Sequence, residues 1–367
     1  MVEVADIFRQ YGPAYRAKFA EQMLPSHLAA MRAIEQCRTE VLGGQVYYCP
    51  TCNETRYSYH SCGNRHCPKC QQDAAQIWLE KQRDLLLPVP YFLVTFTLPA
   101  GLRTVARGHQ QVIYNLLFRT AAEALQQLAL DPRFVGGQIG LVGVLQTWTR
   151  DLHYHPHVHY LVPGGGLAPD GQTWRRAKNH FFVHVKPLAR LFRAKFRDAL
   201  HKTDLFAQVT SGTWTQDWVV DCRPVGTGEA ALKYLAPYIF RGALSNNRLR
   251  KVENHQVTFT YKDGASGQTR TATLLGEEFI RRFLQHVLPK HFVKVRYYGY
   301  FAPGNRHLLH QVKVHLPAAT SRTTPRTQAQ PLATETALHP HPLVCPKCGQ
   351  VMQVRQTLRP HSRSPPL

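Results

Sequence analysis

Acidic residues are scarce in this 367-residue chain: 23 Asp and Glu stand against 45 Lys and Arg, a formal net charge of +22. Such an imbalance points to a polyanionic partner, most simply nucleic acid. Long apolar runs are missing as well. None reaches the roughly 18–20 residues that a membrane-spanning helix requires, so no membrane partner is expected. The first residues, MVEVADIFRQYG, have neither the basic start nor the apolar core of a signal peptide. A cytoplasmic protein with reduced thiols is the expectation, and its nine cysteines read as metal ligands or buried thiols rather than disulfides.

What is present is a mixture of helical and strand patterns. Apolar residues recur at threes and fours over 1–36, with Pro25 placed to open a second helix, and again over 72–87, 105–130, 187–201, 228–241 and 276–287. Strands are expected at 91–98, 139–148 and 157–163, in HFFVHV (180–185), as a hairpin at 255–262 and 269–275, and at 293–301. The short connection between 148 and 157 suits an antiparallel pair. The fold class is therefore α+β, an antiparallel sheet with helices on it. A Thr/Pro/Ala/Gln-rich stretch reads as a linker. The expected organisation is a helical and cysteine-rich N-terminal domain (1–75), a main domain (88–301), a linker (302–342), and a C-terminal C-x-x-C element with a basic tail (343–367).

Cys49 and Cys52 form one C-x-x-C knuckle, Cys67 and Cys70 a second, with fourteen residues between them. Two knuckles at this spacing predict one closed four-thiolate zinc site, structural because no position stays open. Cys37, Cys62, His60 and His66 remain in the same window and suffice for a second Zn²⁺, with the division of ligands open. Cys345 and Cys348 form a lone knuckle needing two more ligands, with His339 and His341 nearby. Arg65 and Lys69, with Arg56, Tyr57 and Tyr59, suit a phosphate backbone and stacked bases.

The stretch YHPHVHYLVPGGG carries the chemistry. In a strand, side chains alternate faces, so His157 and His159 project together as a two-pronged clamp for a divalent ion. If 139–148 pairs with this strand, Gln146 can supply an amide oxygen as third ligand. A facial-triad iron site would add a nearby carboxylate, and with only Asp151 and Asp170 close by in sequence the oxygenase reading is the weaker one. Further on, EAALKYLAPYIFR sets Tyr234 and Tyr238 four apart, on one helix face, flanked by Lys233 and Arg241. A phenolic oxygen can attack phosphorus and leave a phosphotyrosine ester.

Five stretches in order carry a resemblance: YSYHSCGNRHCPKCQ, FLVTFTLPAGL, VLQTWTRDLHYHPHVHYLVPGGGL, KYLAPYIFRGALSNNRL and RRFLQHVLPKHFVKVRYYGYF. Together they resemble the two-tyrosine HUH transposases of the IS91 class of insertion sequences. The resemblance implies a small zinc-binding domain followed by an antiparallel-sheet HUH nuclease domain. It implies that His157 and His159 hold Mg²⁺ or Mn²⁺ and that Tyr234 and Tyr238 are the nucleophiles. It implies DNA partners rather than a small-molecule substrate: single-stranded DNA at the element's ends, and a target. Gln146 departs from relatives that carry histidine there. A replication initiator or relaxase uses the same parts, and a catalytically inactive zinc-containing DNA-binding protein is the alternative of another class. If neither tyrosine of the pair attacks, Tyr154 and Tyr160 beside the clamp are the next candidates.

Overall fold

The computed structural model describes residues 2–70, 78–80, 82–178, 181–228, 230–233, 239, 242–264, 266–316 and 343–361. Among them no helix is long and apolar enough to cross a membrane. The chain opens with the helices Val4–Phe19 and Pro25–Gln36, the second with proline in its first turn, where no N–H is needed. The first helix buries Val4, Ile7, Phe8, Tyr11 and Tyr15 along one stripe. Strands β1 (Gly44–Cys49) and β2 (Glu54–Tyr59) follow as a hairpin, then β3 (Pro90–Thr97), β4 (Leu141–Trp148), β5 (Tyr154–Pro163) and the short pair β6 (Gly165–Leu167) and β7 (Trp174–Arg176). Next come β8 (Val220–Thr227), β9 (Leu249–Glu253), β10 (Gln256–Lys262), β11 (Thr269–Leu275), β12 (Val295–Tyr298) and β13 (Gln353–Leu358).

The organising element is a five-stranded antiparallel sheet in the order β12-β4-β5-β3-β8. Its two faces read directly from side-chain alternation. Phe92, Val94, Phe96, Leu141, Leu145, Val158, Tyr160 and Val162 point to one side. There they meet the helices Gln110–Leu130 and Val185–His201, the latter presenting Leu188, Phe192, Phe196 and Leu200 at four-residue intervals. Gly143 must be glycine on this face, because a Cβ would sit 2.5 Å from the Tyr160 ring. Truncating a fully buried Phe192 to alanine costs about 3–5 kcal/mol in such a core.

The opposite face carries Tyr91, Leu93, Val142, Val144 and Leu161, covered by Ala231, Leu232, Ile239 and the helix Arg306–His315 through Leu309 and Val312. That helix occupies the start of the span expected to be linker; the rest, 317–342, lies outside the described residues. A third core joins the N-terminal helices and Cys37 and Cys67 to the β9-β10-β11 sheet and the helix Gly276–Leu284. The expected strand HFFVHV is not formed in its described part. Phe182 and Val183 are buried, but the chain runs irregularly into the helix Val185–His201, so burial rather than pairing explains its apolar composition. Nor is the C-terminal element separate: β13 pairs with β1, giving a sheet in the order β13-β1-β2.

Candidate functional site

On β5, His157 and His159 share the face of Leu161, while Val158 and Tyr160 turn to the helices. The strand register sets Gln146 of β4 opposite His157, and Thr97 and Thr95 of β3 opposite His157 and His159. The two imidazole rings lie 4.8 Å apart, centroid to centroid. Nδ1 of His157 donates to the His155 carbonyl at 2.6 Å, which makes Nε2 the ring atom that could hold a metal. His159 is oriented by the Thr95 hydroxyl, 2.9 Å from its Nδ1. Burial pushes the pKa of His157 down to about 4 and that of His159 well below its ordinary value, so both rings stay neutral, as metal ligation requires. His155 is turned to Arg103, whose guanidinium donates to its Nδ1 at 2.9 Å.

Asp151 and Asp170, the acids that proximity in sequence suggested, are engaged elsewhere. Asp151 pairs with His153 at 2.8 Å, and Asp170 accepts backbone N–H groups of its own turn. The acid on the clamp's face is one that the strand pattern hid: Asp221 of β8 lies opposite Thr95, with Arg223 two residues on. Pro224 and Gly226 interrupt VDCRPVGT, so only the sheet register exposes this edge strand. Tyr154 and Tyr160 are excluded as nucleophiles by their packing. Both sit on the helix-covered face, Tyr154 bonded to the Tyr114 hydroxyl and Tyr160 donating to the Phe118 carbonyl, each at 2.6 Å.

Tyr234, Tyr238 and Arg241 lie outside the described residues. Their described neighbours Ala231, Leu232 and Ile239 are buried against the sheet face that bears the clamp. Lys233 is exposed. Arg65 and Lys69 are engaged within the chain: Arg65 donates to the carbonyls of Phe292 (2.6 Å) and Pro289 (2.7 Å), and Lys69 pairs with Glu3.

The cysteines converge, but not as the spacing suggested. Cys37, Cys62, Cys67 and Cys70 form one group and Cys49, Cys52, Cys345 and Cys348 another, the four ligand atoms of each lying within 4.8 Å of one another. The single site of Cys49, Cys52, Cys67 and Cys70 is therefore corrected. The β1–β2 hairpin carries its own knuckle away from the second one, and each knuckle finds partners outside the pair. Sulfur–sulfur separations of 3.6 Å (Cys37–Cys70, Cys62–Cys70, Cys49–Cys348) exclude disulfides, and a tetrahedral ion with bonds of ~2.3 Å sets its sulfurs about 3.8 Å apart. His60 and His66 belong to neither group. His60 is exposed, and Nε2 of His66 accepts the Leu288 N–H at 3.3 Å. His339 and His341 lie outside the described residues.

Comparison with known proteins agrees with this architecture. A family described as "Transposase zinc-binding domain" matches residues 7–98, and one described as "Putative transposase" matches residues 140–307. The chain is 42% identical over 325 residues to the "Putative transposase y4qJ" of Sinorhizobium fredii, a match covering 83% of this chain and 81% of that protein. It is 30% identical over 341 residues to the "Transposase for insertion sequence element IS801" of Pseudomonas savastanoi pv. phaseolicola, covering 86% and 80%. No solved structure matches. A zinc-binding domain at the N-terminus, followed by mixed helices and antiparallel sheet and matched to these relatives over most of its length, the chain belongs to the IS91-type transposases.

Proposed function

We propose that this transposase nicks single-stranded DNA at the ends of its element through a tyrosine hydroxyl and rejoins the strand to a target, a rolling-circle reaction in the cytoplasm. The observation that carries the reading is the buried pair His157 and His159, with Gln146 in register beside it, on the sheet face covered by residues flanking Tyr234 and Tyr238. Two neutral imidazoles and an amide oxygen suit Mn²⁺ better than Mg²⁺, though either hard cation fits. Such an ion, when bound, supplies positive charge to a phosphate oxygen. The tyrosine oxygen attacks phosphorus, the P–O3′ bond breaks, and the strand leaves with a free 3′ hydroxyl. The 5′-phosphotyrosine ester conserves the phosphodiester's energy, so a 3′ hydroxyl reverses the step without an external energy source. Lys233 and Arg241 flank the tyrosines with positive charge. The two cysteine groups hold structural Zn²⁺.

His157→Ala or His159→Ala should abolish metal-dependent nicking of an end-derived oligonucleotide and leave its binding within about twofold. Tyr234→Phe with Tyr238→Phe should eliminate the covalent protein–DNA adduct, while at least one single variant still forms it. An adduct that persists in the double variant, or in chelator, overturns the reading.

A further inference from the structure

We infer that the outer face of the β13-β1-β2 sheet is a second single-stranded DNA site, where bases stack on Tyr48, Tyr57 and Tyr59 beside Arg355. The strand register builds this face. Tyr57 lies opposite Val46, and Thr55 opposite Tyr48, so Val46, Tyr48, Tyr57 and Tyr59 project to one side. Tyr48 and Tyr57 are diagonal neighbours on the two strands, a spacing that aromatic side chains bridge. Tyr57 and Tyr59 run nearly parallel, with ring centroids 6.0 Å apart and planes 23° apart. The C-terminal strand completes the row, because Arg355 lies at the irregularity where β13 shifts register on β1, with its guanidinium 5.4 Å from the Tyr48 ring.

A core sheet would hide such rings, yet Tyr57 is 62% exposed. Charge matches a phosphate chain: Arg355 stands on the tyrosine face, and the single acid of the three strands, Glu54, lies on the opposite face with Arg56, where Lys347 neutralises it at 2.8 Å. Exposed aromatics on a small sheet, edged by arginine, bind unpaired bases with little sequence preference, because every base has a π face and only an unpaired one can lie flat on a tyrosine. The face is a composite of both chain ends: β1 and β2 precede the five-stranded sheet and β13 follows it, joined at Cys49, Cys52, Cys345 and Cys348. It is distinct from the His157–His159 clamp and does not depend on the tyrosine chemistry proposed there.

The test is fluorescence anisotropy of the full chain with a labelled oligo(dT), and with a mixed-sequence duplex of equal length, at one fixed salt concentration. Tyr57→Ala with Tyr59→Ala should weaken oligo(dT) binding at least tenfold, with duplex binding changed by less than twofold. The corresponding Phe variants should bind as wild type, since stacking needs the ring and not the hydroxyl. Arg355→Ala should lose several-fold. In parallel, photocrosslinking with bromodeoxyuridine oligonucleotides on the unmodified protein should label peptides spanning 44–59 or 353–358. Unchanged oligo(dT) affinity in the alanine pair, an equal loss for duplex and single strand, or crosslinks wholly outside these peptides overturns the site. Because crosslinking needs no variant, a misfolded alanine pair leaves the inference testable.

Discussion

The two cysteine groups have the same ligand chemistry and hold the chain in opposite ways. Cys37, Cys62, Cys67 and Cys70 come from one short window, and their site is set into a core that also contains Phe8, Met31, Phe259, Phe279 and Phe283. Cys49, Cys52, Cys345 and Cys348 join residues 299 positions apart, and their core is little more than Cys49, Cys345 and Met352. Loop-closure entropy grows only logarithmically with length, so the long connection is not itself a heavy penalty. What differs is the support. The first site is reinforced by buried hydrophobic area, whereas the second has almost none, and metal binding there is most of the folding energy of the join.

The largest effect should therefore come from breaking the first group. Cys67→Ser leaves three thiolates in a core that is continuous from the N-terminal helix to the helix Gly276–Leu284. A structural zinc site contributes on the order of 10 kcal/mol to folding of its module. The variant should lose one Zn²⁺ per chain, and limited proteolysis should open both 4–70 and 249–284. Wild-type protection at 249–284 in a protein short of one zinc would show that the two regions do not share a core.

Breaking the second group should be local. Cys348→Ser should also cost one Zn²⁺, but faster hydrogen exchange should be confined to 44–59 and 343–361, where β13 leaves β1. The five-stranded sheet, packed by its own two cores, should keep its protection. A melting temperature that falls as far as in Cys67→Ser would erase the distinction between the groups.

How much of this was legible in the sequence follows the range of the interactions involved. The shared face of His157 and His159 was legible because alternation along one strand is local, and the place of Gln146 beside His157 needed only the short connection from 148 to 154. The N-terminal helices and the strand at 91–98 followed from periodicity for the same reason. Zinc binding was legible as chemistry, but ligand partition was not. C-x-x-C spacing brings two thiolates together and says nothing about which distant pair completes the tetrahedron. Asp221 was hidden because Pro224 and Gly226 break the strand signature that would have carried it to the sheet. HFFVHV misled for the converse reason, apolar residues buried without a ladder.

The subtlest difference between the two groups is how the first is tied, through the chain at 288–294, to Ile239. Arg65 and His66 bond to the backbone at 288–292, and two residues later Nζ of Lys294 donates to the Ile239 carbonyl at 2.9 Å, 5.0 Å from the Trp148 ring. Burial, with Arg65 adding repulsion, pushes the Lys294 pKa down to about 7. In an unfolded chain the same amine titrates near 10.4. The folded value is the lower one, so between pH 7 and about 10.4 the unfolded state binds the extra proton, and stability from this residue rises with pH. Below pH 7 both states are charged and the burial penalty is felt in full. Cysteines and tyrosines titrate in the same window, so the useful quantity is the difference between wild type and Lys294→Met. Moving from pH 7 to pH 9 should shift that difference by about 2 kcal/mol in favour of the wild type, measured by urea unfolding with Trp148 fluorescence as a reporter. If the gap between the two proteins is the same at both pH values, the amine is hydrated in the folded state. The bond to Ile239 is then no buried tether between the first zinc site and that residue.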